Sequence, residues 1–380
     1  MASNKSNKTT SSVIILGDAF ADLFCFLDGD LPNETGGDTR LTQPITTVAG
    51  GSGLNTATHL KGINKTTDVC LYTAINISDT YGQLLRQHAN KYDFALVNCT
   101  SSYNTNDNQN EKTDISSSTG HCAVIVANGE RSFLTHLGVM ETFQAKHISL
   151  DSILLKFQKS SYVHIAGYYN IPGFWGGDQL QELLKLLKQQ APSIVVSLVP
   201  QYDATERWDG QLIELLPSID YLFVNKLEAR NIVKARSDDV ALTDSSNDTE
   251  FLTKIATYFH LTSPNTCIVV TLGANGACAL WQGAVIAKQP APISLDNPLD
   301  PTGAGDSFIA GFFHGILTHN NSRSTLNGKQ DPEALARGLL YGSVLGTSCV
   351  MRPGASTPAT ESEIDSILKE HEEGNLKSRK

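Results

Sequence analysis

At 380 residues, with 40% apolar and 18% charged residues, the chain has ordinary globular composition and room for one large α/β domain with an accessory piece. Its formal net charge of −10, with no dense Lys/Arg cluster, argues against nucleic acid as a partner. No apolar stretch approaches the ~20 residues of a membrane-spanning helix, and no secretory signal is visible.

In chain order, the polar first twelve residues read as a disordered tail. VIILG (13–17) then reads as a short buried strand running into the loop DAFAD. The same pattern predicts buried strands at Val69–Ala74, Tyr162–Ala166, Ile194–Leu198, Tyr221–Val224 and Cys267–Leu272. Between them lie helical patterns, clearest in DQLQELLKLLKQQ (178–190), where leucines recur at helical spacing behind an Asp. Strands alternating with amphipathic helices imply a parallel sheet covered on both faces.

Two stretches break the rhythm: about 23–48, and about 95–140, where Asn128-Gly129 is a strong hairpin signal. They read as one small β-rich subdomain on the core, carrying a Ser/Asn-rich loop near 98–119. Residues 371–380 read as a polar tail, and polar surface loops are expected near 236–250 and 319–331. The seven cysteines are scattered without a C-x-x-C pair, so reduced thiols of a cytoplasmic protein are expected.

Four segments could carry chemistry. VAGGSGLNTATHL (48–60) places Gly50, Gly51 and Gly53 before a helix bearing Asn55. It lacks the third glycine of a dinucleotide fingerprint, which disfavours a Rossmann oxidoreductase. FVNKLEA (223–229) sets Asn225 and Glu228 three apart just after a strand, where they could reach one hydrated cation or merely start a helix. VVTLGANGACAL (269–280) gives Thr271, Gly273 and Gly276 in a turn that could lie against phosphate, or simply join paired strands. LDPTGAGDSF (299–308) brackets an uncharged turn between Asp300 and Asp306 at a helix start. Its N–H groups and helix dipole would make an anion hole, and a carboxylate there suits phosphoryl transfer, although Asp306 could equally be only a helix cap.

Together, in this order, the four segments resemble the ribokinase-like (PfkB) family of sugar and nucleoside kinases, from Val13 to about Leu368. The resemblance implies a three-layer α/β/α core with a central, mostly parallel sheet and a small β lid. It implies ATP-dependent phosphorylation of a hydroxyl on a small sugar, with ATP and Mg²⁺, and leaves room for K⁺ and for a homodimer through the lid. By position, Asp306 would be the general base and Gly303, Ala304 and Gly305 the anion hole. Asp22, Gly51 and Asn55 would bind the acceptor. Asn225, Thr271, Gly273 and Gly276 would serve the nucleotide, and Glu228 would hold magnesium through water. Asp300 and Thr302, completed by backbone near Cys349, Arg352 and Gly354, match the potassium site of some relatives.

The chain departs from the family pattern at Pro301, often Thr, and at Val199 in SLVPQYD, where many sugar kinases carry Asp. A nucleoside such as adenosine is the alternative acceptor; its base would need an aromatic shelf, for which Phe24, Phe26 and Phe133 are candidates. A non-catalytic sugar- or nucleotide-binding regulator is the alternative from another class.

Overall fold

The computed structural model describes residues 11–30, 37–100, 118–127, 130–157, 161–176, 178–237, 247–293, 299–320, 331–352 and 354–378. Its thirteen strands are β1 Ser12–Gly17, β2 Phe20–Phe26, β3 Thr46–Gly50, β4 Asp68–Thr73, β5 Ala95–Asn98, β6 His121–Ala127, β7 Glu130–His136, β8 Ser161–Ala166, β9 Val195–Val199, β10 Tyr221–Asn225, β11 Cys267–Thr271, β12 Ala277–Trp281 and β13 Ala284–Gln289. Nine of them form one sheet in the order β13-β12-β11-β10-β9-β8-β1-β4-β5. From β5 to β11 every pairing is parallel, and β12 and β13 close one edge antiparallel. The six buried strands read from the sequence are all in the parallel part.

Each parallel strand is a run of apolar residues because both its faces are covered. Along β1, Val13 and Ile15 pack into one buried cluster while Ile14 and Leu16 pack into the other, on the opposite face. Helices coat both sides, including Ser52–Ile63, Asp178–Gln190 and Ala304–Asn320. The expected three-layer α/β/α architecture is the one observed.

The remaining strands form a second sheet, β3-β2-β6-β7, with β2–β6 parallel and the other two pairings antiparallel. The strands on either side of Asn128-Gly129 do pair antiparallel; the turn residues themselves lie outside the described residues, as do 101–117 of the Ser/Asn-rich loop. Alternation places Asp22, Phe24 and Phe26 on one face, and the register brings Val124 and Val126 of β6 and Arg131 and Phe133 of β7 to that face.

Three boundaries differ from the sequence reading. Ala95–Asn98 pairs with β4 in the large sheet instead of joining the small one, because its register continues the β1–β4 ladder. The small sheet begins at Phe20, ahead of the expected 23. The helix Glu361–Ser378 runs through most of the expected polar tail, since exposed charged residues are good helix formers. Ser12 is already strand, and residues 1–10 lie outside the described residues, as do most of the two expected polar loops.

The helix that carries Asp306 is fixed by its neighbour Pro332–Val350. A methyl group at Gly311 would strike the Tyr341 carbonyl, one at Gly315 the Arg337 carbonyl, and one at Gly342 the Phe308 ring. Glycines on both helices thus let the backbones approach closely while Phe308, Phe312 and Phe313 fill the space toward the sheet. Gly311→Ala is therefore expected to cost about 1–3 kcal/mol from overpacking and lower the Tm. Gly305→Ala, where a methyl group meets open space, should leave the Tm unchanged or raise it.

Candidate active site

The polar cleft forms where the parallel strands end. Asp18 follows β1, Asn170 follows β8, Gln201 follows β9, and Asn225 and Thr271 terminate β10 and β11. β1 is where the chain stops adding strands on one side and, at β8, starts adding them on the other. Open α/β sheets present their ligand crevice at such a switch point, beyond the carboxyl ends of the strands.

Asp306 sits at the centre, 4% exposed in the first turn of its helix. Three side chains donate to its carboxylate: Ser52 Oγ at 2.7 Å, Asn55 Nδ2 at 2.9 Å and Gln201 Nε2 at 3.0 Å. The main effect on its acidity is burial, which raises its pKa to about 7. Asn55, Ser52 and Gln201 oppose the rise, and the nearby Asp18 charge adds to it.

Asp18 accepts from the Gly53 N–H at 3.0 Å and from Asn170 Nδ2 at 2.7 Å. Burial lifts it to about 6 against those two bonds. Asp22, on β2, keeps an exposed edge and is raised to about 7, first by burial and then by the charges of Asp18 and Asp306. Gly50 has no room for a side chain because a methyl group would collide with the Asp22 carboxylate. Gly51 stands at φ 93° immediately before the helix Ser52–Ile63, a conformation open to glycine at little cost. Asp22, Gly51 and Asn55 are thus brought to one place with Asp306, and Asn55 Oδ1 is buried with no hydrogen-bond partner among the described residues.

The loop before the helix turns at Gly303, φ 76°, where a Cβ would lie 2.7 Å from Ala355. The Ala304 N–H bonds to the Pro301 carbonyl at 3.2 Å and that of Ser307 to the Gly303 carbonyl at 2.8 Å. The turn thus engages the N–H of Ala304, one of the three residues that the resemblance gives to the anion hole. Gly305 and Asp306 present theirs at the helix N-terminus. Two adjoining cavities meet here. One, of about 250 Å³, is lined by Gly303, Gly305, Asp306, Gln201, Asn225 and Glu228. The other, of about 280 Å³ and mostly apolar, is lined by Thr271, Gly273, Gly276, Ile293, Gly305 and Phe308 among others. The two share Thr271, Pro301, Gly305 and Phe308 in their walls.

Asn225 and Glu228 make a reciprocal capping box: Asn225 Oδ1 accepts the Glu228 N–H at 2.8 Å, and Glu228 Oε2 accepts the Asn225 N–H at 3.0 Å. Both the helix-start and the cation readings thus keep a basis, because Glu228 also lines the smaller cavity and burial raises it to about 7. A buried carboxylate facing a polar chamber fits a hydrated magnesium ion.

The potassium set does not fit a cation. Asp300, 2% exposed, receives the Thr302 N–H on Oδ1 at 2.8 Å and the Gly354 N–H on Oδ2 at 2.9 Å. The Thr302 carbonyl accepts the Cys349 thiol at 3.4 Å, and the Cys349 carbonyl accepts the Arg352 N–H at 3.3 Å. The Arg352 guanidinium is held by Pro358, Ser348 and Glu363. Donors, including Arg131 at 3.1 Å from Asp300 Oδ1, converge where a cation would need free oxygens.

Ser52, Asn170, Gln201, Asp18 and Arg131 stand at the site without having been read from the sequence. Gln201 reaches Asp306 only because it adopts φ 65° after Pro200, and Pro-Gln carries no warning of that. Asp18 stands in the loop DAFAD, where its strand-end position was the available signal. Arg131 meets Asp300 across 169 positions of chain, which no local pattern announces. Asp203, two residues after Gln201, instead ties its own loop through Thr205 and Trp208.

A family model described as pfkB family carbohydrate kinase matches residues 10–361. Adenosine kinase of Dictyostelium discoideum is 24% identical over 254 residues, covering 67% of this chain and 68% of that protein. Adenosine kinase 1 of Arabidopsis thaliana is 25% identical over 211 residues, 54% of this chain and only 57% of that protein. In structure, ribokinase from Giardia lamblia superposes with a TM-score of 0.73 at 20% identity, over 94% of this chain and all of that one (100%). The acceptors named for these proteins differ, so they do not fix the acceptor here, and no described helix is long and apolar enough to cross a membrane. With the family matched along nearly the whole chain and its fold shared by a solved relative, the protein belongs to the pfkB family of carbohydrate kinases and is an ATP-dependent kinase of sugars or nucleosides.

Proposed function

We propose that the chain transfers the γ-phosphoryl group of ATP to a hydroxyl of a small sugar, with Asp306 as general base. The observation that carries this reading is Asp306 itself, a buried carboxylate raised to about 7 at a helix N-terminus, lining the phosphate-sized chamber. A base with its pKa near neutrality is matched to taking a hydroxyl proton. Asp306 accepts that proton as the acceptor oxygen bonds to the γ-phosphorus and the bond to the ADP oxygen breaks. Gly305 and Asp306 N–H groups, with the helix dipole, oppose the charge on the moving phosphoryl oxygens. Gly303 allows the turn that aims them. Magnesium, held through water at Glu228, would neutralise phosphate charge. Asp22 accepts from sugar hydroxyls, and the unpartnered Asn55 Oδ1 would take another such donor. Thr271, Gly273 and Gly276 border the slot for the adenine ring, and Asn225, which lines the polar cavity beside it, would serve the phosphates.

A second reading, a nucleoside acceptor, is favoured by one feature. Phe24, Phe26 and Phe133 share the Asp22 face of the small sheet, with the Phe24 and Phe26 rings stacked at 6.0 Å. An apolar shelf beside a hydroxyl-binding carboxylate suits a sugar that carries a base. Measuring ATP consumption with ribose, fructose, 2-keto-3-deoxygluconate and adenosine separates the two. Turnover on none of them, with nucleotide still bound, would support the non-catalytic regulator.

Asp306→Asn is expected to keep ATP binding and lose at least ~100-fold in turnover; near-normal turnover removes Asp306 from the base role. The same variant tests the electrostatics. A carboxyl with a raised folded pKa stabilises below its unfolded value, and that contribution is lost as pH rises through about 7. The Tm of the variant relative to wild type should therefore climb between pH 4 and pH 8. A flat difference would mean that Asp306 is ionised throughout. Because Gln201 lowers the Asp306 pKa, Gln201→Leu should move the rising limb of the pH–rate profile to higher pH and recover activity there. An unchanged limb with a uniform loss would assign Gln201 to shape alone.

A further inference from the structure

Arg131 and Asp300 form an ion pair between the small sheet and the loop that leads into the Asp306 helix. Asp300 precedes the Gly303 turn by three residues and is almost wholly buried, its side chain 3% exposed. A carboxylate that deep is costly to ionise without a compensating positive charge. Arg131 Nη2 supplies one at 3.1 Å, and the same nitrogen lies 3.4 Å from the Leu299 carbonyl. The Arg131 side chain is itself only 12% exposed, so this is an enclosed pair rather than a screened surface contact. Arg131 belongs to β7 of the small sheet and Asp300 to the phosphate loop of the core, so the pair joins the two bodies. Arg131 opposes Val126 in the register and therefore projects from the face that carries Asp22.

Asp300 Oδ1 and Oδ2 also receive the N–H groups of Thr302 and Gly354, which fixes both flanks of the loop around this one carboxylate. Resting on the kinase reading, we infer that Arg131 provides, from the small sheet, the positive charge that holds Asp300 and the 300–305 loop, so that the enzyme has no need of a monovalent cation. Arg131 is a positioning residue. It acts through Asp300 on the loop whose Gly305 and Asp306 amides meet the phosphoryl group. The charge is also carried on the sheet that bears Asp22, so the phosphate loop is braced only when that sheet is docked on the core.

The test compares potassium chloride with tetramethylammonium chloride at equal ionic strength, about 0.1 M, on the wild type, Arg131→Gln and Arg131→Lys. Two readouts are followed: the Tm of the protein without substrate, and kcat/KM for ATP. Wild type should differ by less than about twofold in rate and about 1 °C in Tm between the salts. Arg131→Gln should lose Tm and rate in tetramethylammonium, by about 4 °C and tenfold or more, and regain much of both in potassium. Arg131→Lys, which keeps the charge, should behave as wild type. Severalfold activation of the wild type by potassium overturns the inference. So does an Arg131→Gln protein whose losses potassium does not relieve, which would put the guanidinium to other use. If that variant does not fold, the wild-type comparison still decides. The Tm arm needs no acceptor: should no sugar or nucleoside be turned over, the kinase reading fails while the potassium response of the Tm still tests the cation assignment.

Discussion

The site depends on placing a carboxylate where it would rather not be charged. Asp306 is buried at the head of a helix, close to Asp18 and within the field of Asp22 and Glu228. Full ionisation would be costly in such a place. Three side-chain donors from two separate parts of the chain reduce that cost without removing it, and a carboxyl poised near neutrality results. Because the four carboxyls influence one another, the protons leave the cleft as coupled steps, and the acidity belongs to the group as a whole.

Holding such a cluster requires a rigid frame, and the frame comes from backbone approach as much as from apolar burial. The helix Ala304–Asn320 lies so close to Pro332–Val350 that methyl groups at Gly311 or Gly315 would meet carbonyls of the neighbour. On the other side, Ser356 Oγ donates to the Ala49 carbonyl at 2.6 Å, and His59 Nε2 lies 2.8 Å from the Ala355 carbonyl. Burial holds that imidazole at about 4, so it stays neutral and can donate to the carbonyl at any pH where the protein works. The glycine-rich helix that brings Ser52 and Asn55 is thereby tied to the loop that backs Gly303.

How far these features could be read from the sequence follows from the range of the interactions. The parallel strands were legible because each is an uninterrupted apolar run, and the Gly303 turn because glycine and a following helix are local signals. Ala95–Asn98 was misassigned because four half-buried residues carry no period of their own; pairing with β4 decides their place. The resemblance offers Gly303, Ala304 and Gly305 alike to an anion, and it carries no sign that the turn engages the Ala304 N–H with the Pro301 carbonyl. Gln201 and Arg131 were missed for a different reason. One depends on a left-handed backbone and the other on an ion pair between distant strands, and neither property is written in neighbouring residues.

The two electrostatic arrangements are complementary. Asp306 is left with neutral donors and can titrate; Asp300, six residues earlier, is given a full guanidinium and two backbone amides. Asp300 is thus met by a cation, and Asp306 by neutral dipoles only. The loop between them therefore has one anchored end and one responsive end. Exchanging the partners would abolish that division: an arginine against Asp306 would hold it ionised but far too acidic to take a hydroxyl proton, and neutral donors alone at Asp300 would leave a buried charge uncompensated. What distinguishes the two aspartates is therefore the charge of their partners, since both are buried almost equally.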